Sequence, residues 1–515
     1  MRRVHARLLF VAVLAACGDA APDASIGWYD DVGSHDVGGD TGVQEPETTE
    51  LGQTVTSRSF VVLPDLTGQS LALLRVRGSE TWLRRIELGL RPDIVVASPD
   101  SDRLLIVESL QASALWIDLG DDATLVARRA DLRMKVNRAV VSPGQSRAVL
   151  WFDATADNGS LVASPLDQVA VLDLSTGATR AELLPVGLGI RDVVFCGETS
   201  FAVETVDGLS RVSLGGEINV TSRAWADDAP PLELDADLDI VTAPGCGGAL
   251  ARLPGRPGLQ WVALEPPVTE TIEPATAFSD LDRAGPEEVV AVDRIGRRVA
   301  LSTLGNEGTA PTLQWLAVDG ASLGWGAASP DGRTYFVTGG VEGANRLVAI
   351  DIASRAVREF TLEKFARSLS VSPDGNHLFV VHGRRPGQPV AGEPITDLIA
   401  KSPAVSLIDL RDARTTFVRL DVDATAATWV ASADAVLLAL PRGPGASARA
   451  VLVTLEAGPP WSVDLASEPQ QAGTVPGSTW SWISQSHPLG RITLVDTAAN
   501  LRRQITGFGL NSYIE

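Results

Sequence analysis

The sequence predicts an all-β chain, a β-propeller of four-stranded blades, seven to ten in number with eight favoured. Three observations predict it. A turn phrase recurs along the 515 residues at spacings of 43 and 44. Short β-rich runs follow each copy, and 45% of the residues are hydrophobic with no helical period. A period of about 40–45 residues built of short strands is the length of one propeller blade. At roughly 150 residues per domain, the length alone admits three domains or one large β architecture. The repeat selects the second.

The chain opens with a basic stretch (Arg2, Arg3, Arg7) and an apolar run at 8–16. The run is too short to cross a bilayer but suits the core of a signal peptide, assigned to 1–16. Its end, Leu14-Ala15-Ala16-Cys17-Gly18, resembles the lipobox of bacterial lipoproteins. That resemblance implies cleavage before Cys17, acylation of Cys17, and a protein anchored in the bacterial cell envelope. Gly18 rather than Asp after the Cys favours the outer membrane, by the enterobacterial sorting pattern. An ordinary signal peptide that happens to contain a Cys is the alternative.

Residues 17–57 follow as a disordered linker. From 18 to 57 there are nine acidic residues and no Lys or Arg. Seven Gly and no apolar periodicity leave nothing to bury. The Asp spacing fits no EF-hand loop, so the segment reads as a solvated spacer. The propeller is assigned to 58–515.

Four places in that region share the turn phrase: Ser98-Pro99-Asp100, Ser142-Pro143-Gly144, Ser329-Pro330-Asp331-Gly332 and Ser372-Pro373-Asp374-Gly375. Pro presets φ and Gly supplies positive φ, so the phrase is a tight turn that launches a strand. A second phrase, an apolar strand ending in Asp, closes at Asp118, Asp173, Asp351, Asp409 and Asp496. These carboxylates sit where a side chain hydrogen-bonds the next turn, which makes them structural rather than catalytic.

Together the two phrases resemble the YVTN and WD40-like propeller repeats of bacteria, clearly over 98–184 and 329–420 and weakly over 60–92 and 425–508. Unit starts near 60, 98, 142, 194, 240, 286, 329, 372, 430 and 477 allow up to ten units. Some of these could be half-blades, or the first and last could complete one blade between them. Two propellers in series are the alternative architecture. In the middle, Asp280-Leu281-Asp282-Arg283-Ala284-Gly285-Pro286-Glu287-Glu288 resembles an FG-GAP repeat. The resemblance implies calcium ligands at Asp280, Asp282 and Glu288. A second loop with Glu233, Asp235 and Asp239 is similar, with Pro231 in place of the first ligand. Calcium takes six to eight oxygens, so each missing ligand weakens such a site. Decayed turn loops are the plainer reading; no cofactor is required, and calcium is the one the pattern admits.

Two units carry long insertions at the same phase of the repeat, near 153–165 and 384–403. Both should leave the disc on one face, where loops over a rigid scaffold carry binding. The second holds Arg384, Arg385, Glu393, Asp397 and Lys401 and is the candidate partner-binding loop. Cys196 and Cys246 lie near turns of successive units. In an oxidising envelope they suit a disulfide between neighbouring blades, with two buried thiols as the alternative.

The net charge of −21 repels a polyphosphate backbone and excludes nucleic-acid binding. No H-E-x-x-H or C-x-x-C occurs. His377 and His382 are five apart on a strand and face opposite sides, a poor metal pair. The residues therefore favour a non-catalytic chain: an envelope-anchored propeller that binds envelope proteins as a scaffold, joined to the membrane by its lipid. A propeller hydrolase or lactonase acting in the central channel is the runner-up, because the YVTN-type repeat is shared with lactonases. A calcium-dependent adhesion module is third.

Overall fold

The computed structural model describes residues 50–507 and 513–514, apart from 78–79, 120–124, 157–163, 227–232, 235–236, 306–308, 319–322, 391, 444, 457–459 and 499–500. Within them ten antiparallel sheets follow one another along the chain. They cover 55–87, 94–131, 138–185, 190–224, 239–272, 280–317, 325–361, 366–419, 426–464 and 469–514, and are called blades 1 to 10. Each runs from an inner first strand to an exposed outer fourth strand. Blade 10 adds a fifth strand, Tyr513–Ile514.

The local sequence explains how each blade begins. In blade 7 the Ser329 hydroxyl donates to Asp331 Oδ1 at 2.6 Å and accepts the Thr334 N–H at 2.9 Å. Gly332 N–H closes the turn on Ser329 O at φ 68°, a conformation that favours Gly. Blade 8 repeats the arrangement with Ser372, Asp374, His377 N–H and Gly375 at φ 72°. The turn phrase is thus the link between a blade's inner and second strands.

The strand-end Asp has the expected structural part. Asp173 Oδ1 accepts the Ser175 and Thr176 N–H groups, Asp351 that of Ser354, and Asp496 that of Ala498. Each stands opposite the first residue of the second strand, where Arg103 pairs with Asp118 at 2.7 Å and Arg147 with Asp173.

Packing turns these sheets into a ring. Ten apolar clusters are buried, and each lies between two neighbouring blades, from blades 1 and 2 round to blades 9 and 10. The tenth cluster joins blade 1 (Val61, Leu63, Leu74) to blade 10 (Val475, Trp480, Trp482). The ten unit starts legible in the sequence are therefore ten complete blades of one closed ring, at the upper end of the expected range. Among the described residues every unit has at least four strands, and the first and last units do not share a blade. Blade 1 supplies its own inner strand, Val55–Thr56. The seam is instead clasped by Gln471, which accepts the Thr54 N–H at 2.7 Å and donates to Gly52 O at 3.1 Å.

Residues 50–57, which composition assigns to the linker, open the ring. Leu51 pairs with Asp65, and Thr54, Val55 and Ser57 are buried. A two-residue strand flanked by polar residues gives no apolar alternation to read.

Neighbouring inner turns are stitched together. Asp102 of blade 2 accepts from Ser57 Oγ, Ser59 N–H and Ser59 Oγ of blade 1 at 2.8–2.9 Å. Glu198 of blade 4 accepts from Ser142 Oγ and Ser146 Oγ in the Ser-Pro-Gly turn of blade 3 at 2.9 and 2.7 Å. The Ser146 hydroxyl foremost, with the Gly144 N–H, Ser142 and Arg147, holds the Glu198 carboxyl below its ordinary range.

Replacement of Ser372 by Ala strands the buried His377 N–H and removes the Asp374 contact. The expected cost is about 1–3 kcal/mol, read as a lower urea midpoint at unchanged slope.

Candidate functional site

Strand order fixes what each side of the disc presents. Turns between first and second strands, with those between third and fourth, leave on one side. Turns between second and third strands, with the connectors between blades, leave on the other. The first side carries the Ser-Pro-Asp turns and the strand-end Asp residues, and we call it the turn face. The second is the loop face.

The insertion at 384–403 lies on the loop face, between Ala404–Asp409 and the preceding strand His377–His382 of blade 8. It contains the single α-helix among the described residues, α1 (Ile395–Lys401), which begins directly after Pro394, where a ring at the first turn forfeits no hydrogen bond. All five charged residues expected to meet a partner are described, and each is held within the ring. Arg384 pairs with Asp423 at 3.2 Å, and Arg385 with Glu342 of blade 7 at 2.7 Å and with Asp397 at 3.2 Å. Lys401 pairs with Glu393 at 2.5 Å. The charges shape the loop, and among its exposed side chains two are large and apolar: Val390 is 56% and Ile395 62% exposed.

The base of the loop rests on a buried pair that sequence reasoning assigned no part. Lys364 Nζ donates to Ser402 O at 2.5 Å, and Lys364 O accepts from His382 Nδ1 at 3.1 Å. His382 Nε2 then accepts the Ser406 hydroxyl at 2.7 Å, which fixes the neutral tautomer. Burial brings the His382 pKa down to about 4 and that of Lys364 down to about 8. One of only three Lys in the chain, next to Phe365 in the connector Leu362-Glu363-Lys364-Phe365, was the available signal. His377 faces Asp374 and Asp409, both at 3.9 Å, in the cross-strand position that Arg fills in blades 2 and 3.

The loop face is also distinguished by exposed apolar tips. Of the nine exposed large apolar side chains among the described residues, seven are on this face. Leu110, Ile295, Val341, Val390, Ile395 and Leu489 sit between second and third strands, and Leu188 in the connector from blade 3 to blade 4. A large apolar residue between turn formers, as in Arg294-Ile295-Gly296, was readable in the sequence but unremarkable residue by residue.

The described carboxylates expected as metal ligands are engaged with other groups or exposed. Asp280 is buried and accepts the Gly326 N–H of blade 7 at 2.8 Å, and Asp282 accepts the Tyr335 hydroxyl at 2.6 Å. Burial, then Asp282 and Asp280, pushes the Tyr335 pKa well up. Asp239 is buried against Arg252, which also reaches Asp237 at 3.2 Å. Glu288 starts the second strand of blade 6, and Glu233 is exposed. Asp235 lies outside the described residues. Among the described residues no three His, Cys, Asp or Glu are grouped to hold a metal. Asp280 and Asp282 join blade 6 to blade 7.

Cys196 and Cys246 are joined across blades 4 and 5, with Cα atoms 5.8 Å apart. A disulfide contributes about 2–4 kcal/mol, whereas each fully buried Leu, Ile or Val of the same interface contributes about 1.5–3 kcal/mol, so packing remains the larger share. Cys17 lies outside the described residues.

No protein-family model and no curated protein matches the chain. Solved structures give weak likenesses. A eukaryotic initiation factor is 11% identical, with 81% of this chain and 96% of that chain covered, at a TM-score of 0.45. Apo AztD from Citrobacter koseri is 12% identical, with 62% and 87% covered, at 0.37. Virginiamycin B lyase from Staphylococcus aureus is 10% identical, with 65% and 92% covered, at 0.30. Likenesses this low say nothing of what this chain binds. The propeller is defined by its own ten sheets and ten interfaces.

His382 has a depressed pKa in the fold, so it stabilises while neutral and that stability is lost as pH falls. The window runs from the ordinary value of 6.5 down to about 4, worth up to about 3 kcal/mol. Urea unfolding at pH 7 and pH 4 should show this loss in the wild type and a smaller one in His382→Gln.

Proposed function

We propose that the chain is a lipoprotein of the bacterial envelope, anchored through Cys17, whose propeller serves as a non-catalytic protein-binding scaffold. The observation that carries this reading is the insertion at 384–403 on a closed and internally stitched ring. Ion pairs to two neighbouring segments, through Asp423 and Glu342, and one within the loop hold its shape, and Val390 and Ile395 stand out from it. A rigid disc with an elaborated loop presents a shaped surface at little ordering cost on binding. Lipid attachment at Cys17 supplies the location; acyl chains contribute about 0.8 kcal/mol per buried CH₂.

Two experiments test the parts separately. Fatty-acid labelling should mark the wild type and leave Cys17→Ala unlabelled; label persisting on that variant, or absent from both, refutes the anchor. For the scaffold, the Arg385 N–H donates to Ala400 O at 2.8 Å, so the loop's ends lie together and 386–401 can be excised without stretching the chain. The excised protein should keep its thermal transition yet recover about tenfold less crosslinked partner from envelope fractions, a loss of about 1.4 kcal/mol. Equal recovery of the same partners refutes the role of the loop.

A further inference from the structure

The apolar tips of the loop face have no role in the packing of the ring. They are spread around it: Leu110 in blade 2, Ile295 in blade 6, Val341 in blade 7, Val390 and Ile395 in blade 8, and Leu489 in blade 10. Exposures reach 66% for Leu110, 81% for Ile295 and 56% for Leu489. They come from separate turns, save Val390 and Ile395, which share the 384–403 loop. An occupant that meets them together must be broad, flat and able to accept isolated apolar side chains. A bilayer surface has those properties, since Leu and Ile side chains enter the boundary between headgroups and acyl chains.

The course of the chain points the same way. Glu50 N–H donates to Thr67 Oγ1 at 3.0 Å, and Leu66 N–H donates to Glu50 O at 2.8 Å. Leu66 and Thr67 form the turn between second and third strands of blade 1, and Arg91 in the following connector pairs with Glu50 at 3.4 Å. The 49 residues before Glu50, Cys17 among them, therefore join the ring on the loop face. The turn face is the opposite in chemistry, with Asp102, Asp173, Asp331, Asp351, Asp374 and Asp409 committed to polar turns.

We infer that the loop face lies against the lipid bilayer, with Leu110, Ile295 and Leu489 among the tips that enter the headgroup region, and that the turn face looks away from it. The inference takes the location from the anchored reading of Cys17; the geometry is independent of it. It also places the 384–403 loop at headgroup level, so the partners it meets are proteins whose exposed parts lie at the bilayer surface.

The test couples the full chain chemically to the bilayer, so that it does not depend on acylation in the cell. Of the three Cys, Cys196 and Cys246 are joined, which leaves Cys17 to react with a maleimide-headgroup lipid in phosphatidylcholine vesicles. Hydroxyl-radical footprinting then compares coupled and free protein. Modification of the peptides carrying Leu110, Ile295 and Leu489 should fall several-fold on coupling, while those carrying Pro330 and Pro373 on the turn face stay unchanged. In a triple variant, Leu110→Ser, Ile295→Ser and Leu489→Ser, that protection should vanish at an unchanged thermal transition. Equal modification of both faces overturns the inference. So does protection that survives in the triple variant, or that arises only when envelope proteins are added. A missing fatty-acid label on Cys17 refutes the anchor alone and leaves this result standing.

Discussion

Every blade is a sheet with two apolar faces, and neither can be left to water. Val61 and Leu63 of blade 1 face blade 10, while Val62, Leu71 and Leu73 of the same blade face blade 2. A blade is therefore stable only between two others, and a row of such units has no natural end except closure. The fold depends on that constraint. Closure explains how a chain with 45% hydrophobic residues shows no helical period and few exposed apolar side chains outside its turns. It also explains why the ten clusters match ten interfaces.

Given the closed ring, side-chain chemistry divides by position. Residues at the inner turns fasten neighbours to one another, as Asp102 and Glu198 do, so their carboxylates serve cohesion. Asp280 and Asp282 belong to the same class, although their local sequence resembles a calcium loop. Their partners, Gly326 and Tyr335, come from the next blade. The second-to-third turns are where the long insertions and the apolar tips occur.

Much of this was legible in the sequence because it is local. Ser-Pro-Asp-Gly dictates a turn whatever surrounds it, and the strand-end Asp needs only the next few N–H groups. Blade number was less legible. Blades 4, 5 and 6 enter their second strands through Cys196-Gly197-Glu198, Gly245-Cys246-Gly247 and Ala284-Gly285, which share no phrase with the others. The charges of the candidate loop could be named from sequence, but their destinations could not. Asp423 and Glu342 lie far along the chain and are brought close only by the ring. The same holds for Lys364 and His382, whose buried contact with the base of the loop depends on how the connector folds back over blade 8.

The seam between blades 1 and 10 has a mechanical meaning. Among the described residues no strand crosses it, so the ring is closed by side chains, the apolar cluster with Gln471 and with Arg503, which donates to Thr81 Oγ1 at 2.9 Å, like a split washer pressed shut. The segment beside the split is also the one through which the N-terminal part of the chain would transmit a pull. Residues 51–56 run antiparallel to 61–65, with pairs from Leu51 and Asp65 to Thr56 and Val61. Tension at residue 50 meets those pairs one after another rather than all at once. The inner strand of blade 1 is thus placed to peel away under load before the remaining sheets feel it.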